Sequence, residues 1–385
     1  MRLMLVVLRF DQKRIIVIKL VDHTDDNIEE NSMLNSIRLS RIIPPMIIGL
    51  AVVGWMMYRQ LDLEELSKIS WSTSIFFWVF MAGMMYVIRH MFYSWRMRIM
   101  TDKEFSWPKS LELIVLWEFA SSVSPTSVGG SGVALFLLAQ EKLSTAKTVS
   151  IVLYSMVIDT IFFVVSLPLL YLVLGAIMIR PGMQSLTDLD GFGYTFFGVI
   201  LFMSLYGAVF FYGLFVNPNT IKSILLFFSK WEILKRFRSD LEKTAEDVVA
   251  TSKEMQEKTM GYHAKAMLAT TGAWVFRFLA INCIILAFVE DTPFDFYNQL
   301  LIMARAETMH VTTAFTPTPG GAGVAEYLFG GYYIDYVPEG IASLVALVWR
   351  IITYYSYLIV GAIIIPIWIR EVMIRRSKIQ ESKGF

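Results

Sequence analysis

Two short strings hold residue types that could do chemistry. SPTSVGGSGVALF at 124–136 contains Gly129, Gly130 and Gly132; TPTPGGAGVAE at 316–326 contains Pro317, Pro319, Gly320, Gly321 and Gly323 and ends on Glu326. Proline removes a backbone donor and glycine admits conformations closed to other residues, so each string breaks one helix and can start another. Free N–H groups and the positive dipole end of a helix start attract a phosphate. Equally, such small residues let helices pack closely. A soluble phosphate loop is excluded, because no Gly-Lys-Ser/Thr follows and no strand pattern flanks either string.

Two charges stand at matching distances from these glycines. Asp159 lies 30 residues after Gly129, and Arg350 lies 30 after Gly320. They read either as a gating or substrate-binding pair or as a structural ion pair between two halves, in which case losing one should hurt more than losing both. Glu326 falls in the first turn of the helix expected after its string, where a carboxylate complements the dipole; capping, proton coupling and binding of a cationic headgroup all fit. Arg277 could meet a lipid phosphate, or snorkel, or pair. Glu118, Arg305, Glu307 and His310 are further ionisable groups in apolar surroundings, and Glu118, Glu307 and His310 could relay protons. No His/Asp/Glu cluster has metal-ligand spacing, and no cofactor motif or Ser-His-Asp set stands out.

These residues need a membrane to position them. Of 385 residues 56% are hydrophobic and 17% charged, against roughly 25% charged in soluble domains. The single cysteine, Cys283, rules out an intramolecular disulfide framework. Apolar stretches near the ~20 residues a spanning helix needs occur at about 42–58, 73–95, 145–179, 192–217, 265–288 and 340–369. Two more, 107–139 and 297–335, are apolar but broken. Lys and Arg number twenty-two in segments 33–41, 94–110, 139–147, 218–265 and 370–385, against three in the intervening ones. The positive-inside rule makes the first set, and both termini, cytoplasmic. Each broken stretch then starts and ends on one side and reads as a re-entrant hairpin, tolerated where protein or a watery cavity satisfies its backbone.

An offset of 191 residues aligns the two glycine strings, and also 73–95 with 264–286 and 145–179 with 336–370. The expected fold is an all-α membrane protein, about six spanning helices and two re-entrant hairpins in an inverted repeat, with the substrate site where the broken elements meet. The expected organisation is a cytoplasmic segment 1–41, membrane halves 42–217 and 265–370, an amphipathic cytoplasmic connector 218–264 and a tail 371–385. Met33 is an alternative start, residues 1–32 being either an upstream extension or a short amphipathic segment.

TPTPGGAGVAE, with WRIITYY beginning 29 residues after Gly320, and the upstream glycines with VIDTIF behind them, resemble the transmembrane family of lysylphosphatidylglycerol synthase/flippase proteins over about 40–375. The resemblance implies a flippase-like domain of the bacterial inner membrane, with membrane lipids as partners, phospholipid or polyprenyl-linked. The aminoacyl transfer of the family's synthases belongs to a large soluble C-terminal domain, so no enzyme activity is carried over. GGSGVALF lacks the charged residues of the family's first motif, a departure that points away from a lysyl-lipid substrate. A small-anion transporter and the membrane subunit of a lipid-modifying complex are the alternatives. No nucleic-acid partner is expected, and an oligomer is compatible with all three.

Overall fold

The computed structural model describes residues 71–230 and 252–382 apart from 125, 126, 142, 144, 189, 190, 315, 317 and 322, with 4–7, 16–19, 246 and 249 besides. The helix expected at 42–58 and the alternative start Met33 lie outside the described residues, as do most of 231–251. Strands β1 (Met4–Val7) and β2 (Ile16–Lys19) pair antiparallel. The rest is helical, an all-α membrane protein.

Five helices or helix runs are long and apolar enough to cross a bilayer: 73–100, 147–174, 193–215, 260–288 and 339–375. They correspond to α1 (Thr73–Met100), α4 (Thr145–Leu174), α5 (Gly191–Phe215), α7 (Met260–Phe288), and α10 (Glu339–Arg350) joined through a π turn at Ile351–Tyr355 to α11 (Ser356–Ser382). Each broken stretch is a helix pair. One is α2 (Trp107–Val123) and α3 (Ser127–Ala139); the other is α8 (Phe296–Thr313) and α9 (Val324–Tyr332), separated by a 3-10 turn at Pro319–Gly321. With 13 and 9 residues α3 and α9 are too short to cross, while α2 and α8, at 17 and 18, lie at the lower limit of a spanning helix. A short helix α6 (Pro218–Ser229) opens the connector, and α11 carries the expected tail onward as helix.

Local chemistry fixes the starts. The side chains of Ser72, Ser106, Thr259 and Asp295 accept the N–H of the residue three further on and cap α1, α2, α7 and α8. Helices α1 and α7, equivalent under the 191 offset, pack along each other. Ala82 on α1 and Ala266, Ala269, Ala273 and Ala280 on α7 are fully buried. Small residues at such spacing let two helices approach where water supplies no driving force. Outward faces carry Phe76, Phe77 and Phe80 on α1, Leu169 and Leu172 on α4, and Leu201 and Leu205 on α5, all exposed and suited to lipid. Buried apolar residues form two large clusters, with Met267 against both.

Candidate functional site

A cavity of about 540 Å³ is lined by members of both clusters, a size typical of small-molecule sites. Its walls come from α1, α2, α4, α5, α7, α8, the 3-10 turn, α9 and α10 with its π turn. Arg89, Arg96, Arg277 and Arg350 line it together with Glu118 and Asp159. Charges at membrane depth need partners, and three of these arginines have one.

Arg89 on α1 is 1% exposed and donates from Nη2 to Glu118 Oε1 on α2 at 2.9 Å and from Nη1 to Tyr357 Oη at 2.8 Å. The rings of Tyr93 and Tyr86 lie 4.6 and 4.8 Å from its guanidinium. Arg96, two turns on, donates to Asp159 Oδ1 on α4 at 2.6 Å. That oxygen also accepts Trp274 Nε1–H from α7 at 2.9 Å, so Asp159 ties three helices together.

Arg350, at the end of α10, donates from Nη1 to the Gly320 carbonyl at 3.0 Å and lies 3.9 Å over the Tyr354 ring. Its Nε sits 2.8 Å from Glu326 Oε1, but the N–H is not aimed along that line, so this is a charge contact without an aligned hydrogen bond. The other Glu326 oxygen accepts the Gly323 N–H at 2.7 Å. The π turn lies next to this group, and its Thr353 carbonyl accepts the Tyr86 hydroxyl from α1. Tyr354 Oη donates to the Ser122 carbonyl of α2 at 3.1 Å.

Asp159 and Arg350 therefore do not pair with each other. Of the readings open for these equivalent positions, a direct ion pair gives way to two pairs, each completed by a neighbour: Arg96 for Asp159 and Glu326 for Arg350. Glu326 caps α9 through one carboxylate oxygen and turns the other toward Arg350 as a charge contact. The helix start that could have attracted a phosphate is already met by this internal anion.

The second glycine string owes its composition to backbone shape. Gly320, Gly321 and Gly323 have φ of +57, +70 and +84°. A Cβ on Gly320 would sit 2.0 Å from the Tyr354 ring, whereas one on Gly323 would meet nothing within 4 Å. Pro319 opens the 3-10 turn, and Pro317 lies outside the described residues. Gly129, Gly130 and Gly132 fall inside the first turns of α3, not at a break ahead of it.

The three residues considered for a proton relay are not linked. Glu118 is held by Arg89. Glu307 is buried and accepts the Ser166 hydroxyl, off the cavity lining. His310 lines the cavity in an aromatic box of Trp274, Phe163 and Phe278, with ring centroids 4.9, 5.7 and 5.9 Å away. Arg305, fully buried, binds the Ile177 and Tyr332 carbonyls and Asp335, away from the cavity. Arg277 does face the cavity, against Trp274 at 5.5 Å. Among the described residues no cluster of His, Cys, Asp or Glu could hold a metal.

Arg89 and Arg96 are cavity-lining residues that the sequence reading does not single out. Arg89 lies within the expected span 73–95, and an intramembrane arginine is itself a signal. Arg96 lies just past the expected span and in the cytoplasmic segment 94–110, yet α1 runs on to Met100.

The model of the lysylphosphatidylglycerol synthase TM region matches residues 42–361. The chain is also similar to a UPF0104 membrane protein from Archaeoglobus fulgidus, at 25% identity over 266 residues, covering 66% of this chain and 74% of the relative. No solved structure matches it.

Proposed function

The chain belongs to the lysylphosphatidylglycerol synthase TM region family, and from that premise we propose that it is a flippase-like transporter. It moves a phospholipid or polyprenyl-linked lipid across the inner membrane of a bacterium and does no catalysis of its own. The observation that carries this reading is the charged cavity walled by helices with apolar outer faces. A headgroup can be received there while acyl chains stay in lipid. The helix pairs α2–α3 and α8–α9 act as re-entrant hairpins of an inverted repeat, with both termini cytoplasmic, which would let the two halves open the cavity to either leaflet.

The test is leaflet exchange of acyl-labelled phospholipids in liposomes containing purified protein. Wild type should exchange lipid well above protein-free liposomes, and Glu326→Gln and Arg350→Ala, checked for folding, should each lose about tenfold or more of that rate, as expected when a charge-assisted contact is removed. Folded wild-type protein giving no exchange with any headgroup, with or without a proton gradient, would refute the proposal. Uptake of a small anion instead would favour a solute carrier.

A further inference from the structure

We infer that the cavity receives a headgroup of one net negative charge, a phosphodiester, and that Arg277 is the cation that meets it. The inference starts from the pairing of charges. Arg89, Arg96 and Arg350 each have a carboxylate at 2.9, 2.6 and 2.8 Å, in Glu118, Asp159 and Glu326. Arg277 lines the same cavity and, among the described residues, makes no hydrogen bond or ion pair; its contact is the face of Trp274. Four guanidiniums against three carboxylates leave one positive charge, histidine taken as neutral.

Arg277 lies well inside α7, 17 residues after Met260 and 11 before Phe288. A guanidinium at such depth calls for an anion, and among the described residues no side chain supplies one. Donors remain as well: among the described residues Arg350 Nε and Nη2 and Arg89 Nε are buried without a hydrogen-bond acceptor, and both residues line the cavity. Guanidinium forks match phosphate oxygens bidentately, which a compact ammonium cannot do. A cationic headgroup would find each of the three carboxylates already in an ion pair and one arginine unopposed. The site therefore selects against an aminoacylated, positively charged lipid.

This deepens the lipid-transport reading and rests on it for the source of the phosphodiester, since a free glycerophosphodiester has the same chemistry. The test measures binding to purified full-length protein in neutral detergent by calorimetric titration. It is run at pH 8, above the ordinary histidine pKa of about 6.5, so that His310 adds no charge. The probes are dihexanoylphosphatidylglycerol, dihexanoylphosphatidylcholine, its cationic ethyl phosphotriester, and glycerophosphoglycerol, which is the first headgroup without chains.

Wild type should bind the monoanionic lipid about tenfold or more tightly than the zwitterionic and cationic ones. Arg277→Gln should weaken that binding about 10- to 100-fold, and Arg277→Lys should weaken it less. Equal affinity for the three lipids in wild type, or an anion preference untouched by Arg277→Gln, would overturn the inference. Were the Gln variant not to fold, the wild-type ranking and the Lys variant still decide. Anion preference without leaflet exchange would leave the inference standing and remove transport; exchange without preference would do the reverse. Glycerophosphoglycerol binding as tightly as the lipid would uphold the charge assignment and make the ligand a soluble phosphodiester.

Discussion

A double-mutant cycle on Arg96 and Asp159 tests the central contact of the cavity. Asp159→Asn leaves the Arg96 guanidinium, whose side chain is 8% exposed, with Thr270 Oγ1 at 3.3 Å and the Tyr93 ring at 4.6 Å. Breaking a fully buried pair costs about 3–5 kcal/mol. The Asp159 side chain is 26% exposed to the cavity, so screening there lowers the expected cost to about 2–3 kcal/mol. Arg96→Gln should cost less, about 1–2 kcal/mol, because the carboxylate keeps the Trp274 donor at 2.9 Å. The double variant should then cost about 2–3 kcal/mol, well short of the sum, giving a coupling of about 1–2 kcal/mol. Reversible unfolding in mixed micelles, titrated with sodium dodecyl sulfate and followed by tryptophan fluorescence, provides the free energies. The matching cycle on Asp159 and Arg350 should be additive within about 0.5 kcal/mol. Coupling in the second cycle and additivity in the first would refute the assignment of partners.

Two further outcomes use the same unfolding assay. Gly320→Ala should destabilise by more than the about 1–2 kcal/mol of a left-handed backbone, because the methyl also strikes Tyr354 and disturbs the ring under Arg350. A cost of only about 1–2 kcal/mol would show that Tyr354 yields freely. At the foot of α1, partial burial pushes the Asp102 carboxyl up, but Lys258 and Lys147, each at 3.0 Å, outweigh it and hold it below the usual carboxylate value. A depressed folded pKa contributes stability above the unfolded value of about 3.9 and loses it as pH falls through the folded one. Wild type should therefore lose slightly more stability than Asp102→Asn between about pH 4 and pH 2, by under about 1 kcal/mol for so exposed a pair, and the two should run parallel from pH 5 to 8. Divergence only near neutrality would contradict this.

How far the sequence carried the site depended on whether a feature was local. Length and apolar content are local, so five of the six expected spans correspond to spanning helices of the structure and the sixth lies outside the described residues. That Asp159 and Arg350 face a charged interior was also legible, from charge inside apolar helix. Their partners were not, because partner choice follows from helix packing. Arg96 meets Asp159 only because α1 continues a turn past its expected end and lies beside α4 and α7. The meaning of the glycines was undecidable for the same reason: packing glycines and turn glycines are written alike. Positive φ and the Tyr354 ring identify the second string as a turn, while the glycines of the first lie inside helix α3.

The sequence equivalence then explains why the cavity is not neutral. At the matched positions 159 and 350 the two halves carry opposite signs, and each recruits the complementary charge: an arginine from α1 for Asp159, a glutamate from α9 for Arg350. Those positions cancel. The same offset matches Arg277 with Tyr86, and here the halves diverge in kind. Tyr86 uses its hydroxyl to hold the Thr353 carbonyl of the π turn and its ring to face Arg89. Arg277 at the equivalent place on α7 lies against Trp274 and, among the described residues, holds no acceptor. An arginine placed there only to fasten helices would have an acceptor across the seam, as Arg89 and Arg96 do. On the inference drawn above, a position that builds structure in one stretch and, among the described residues, leaves a cation without an anion in its sequence equivalent is where a ligand's charge completes the site.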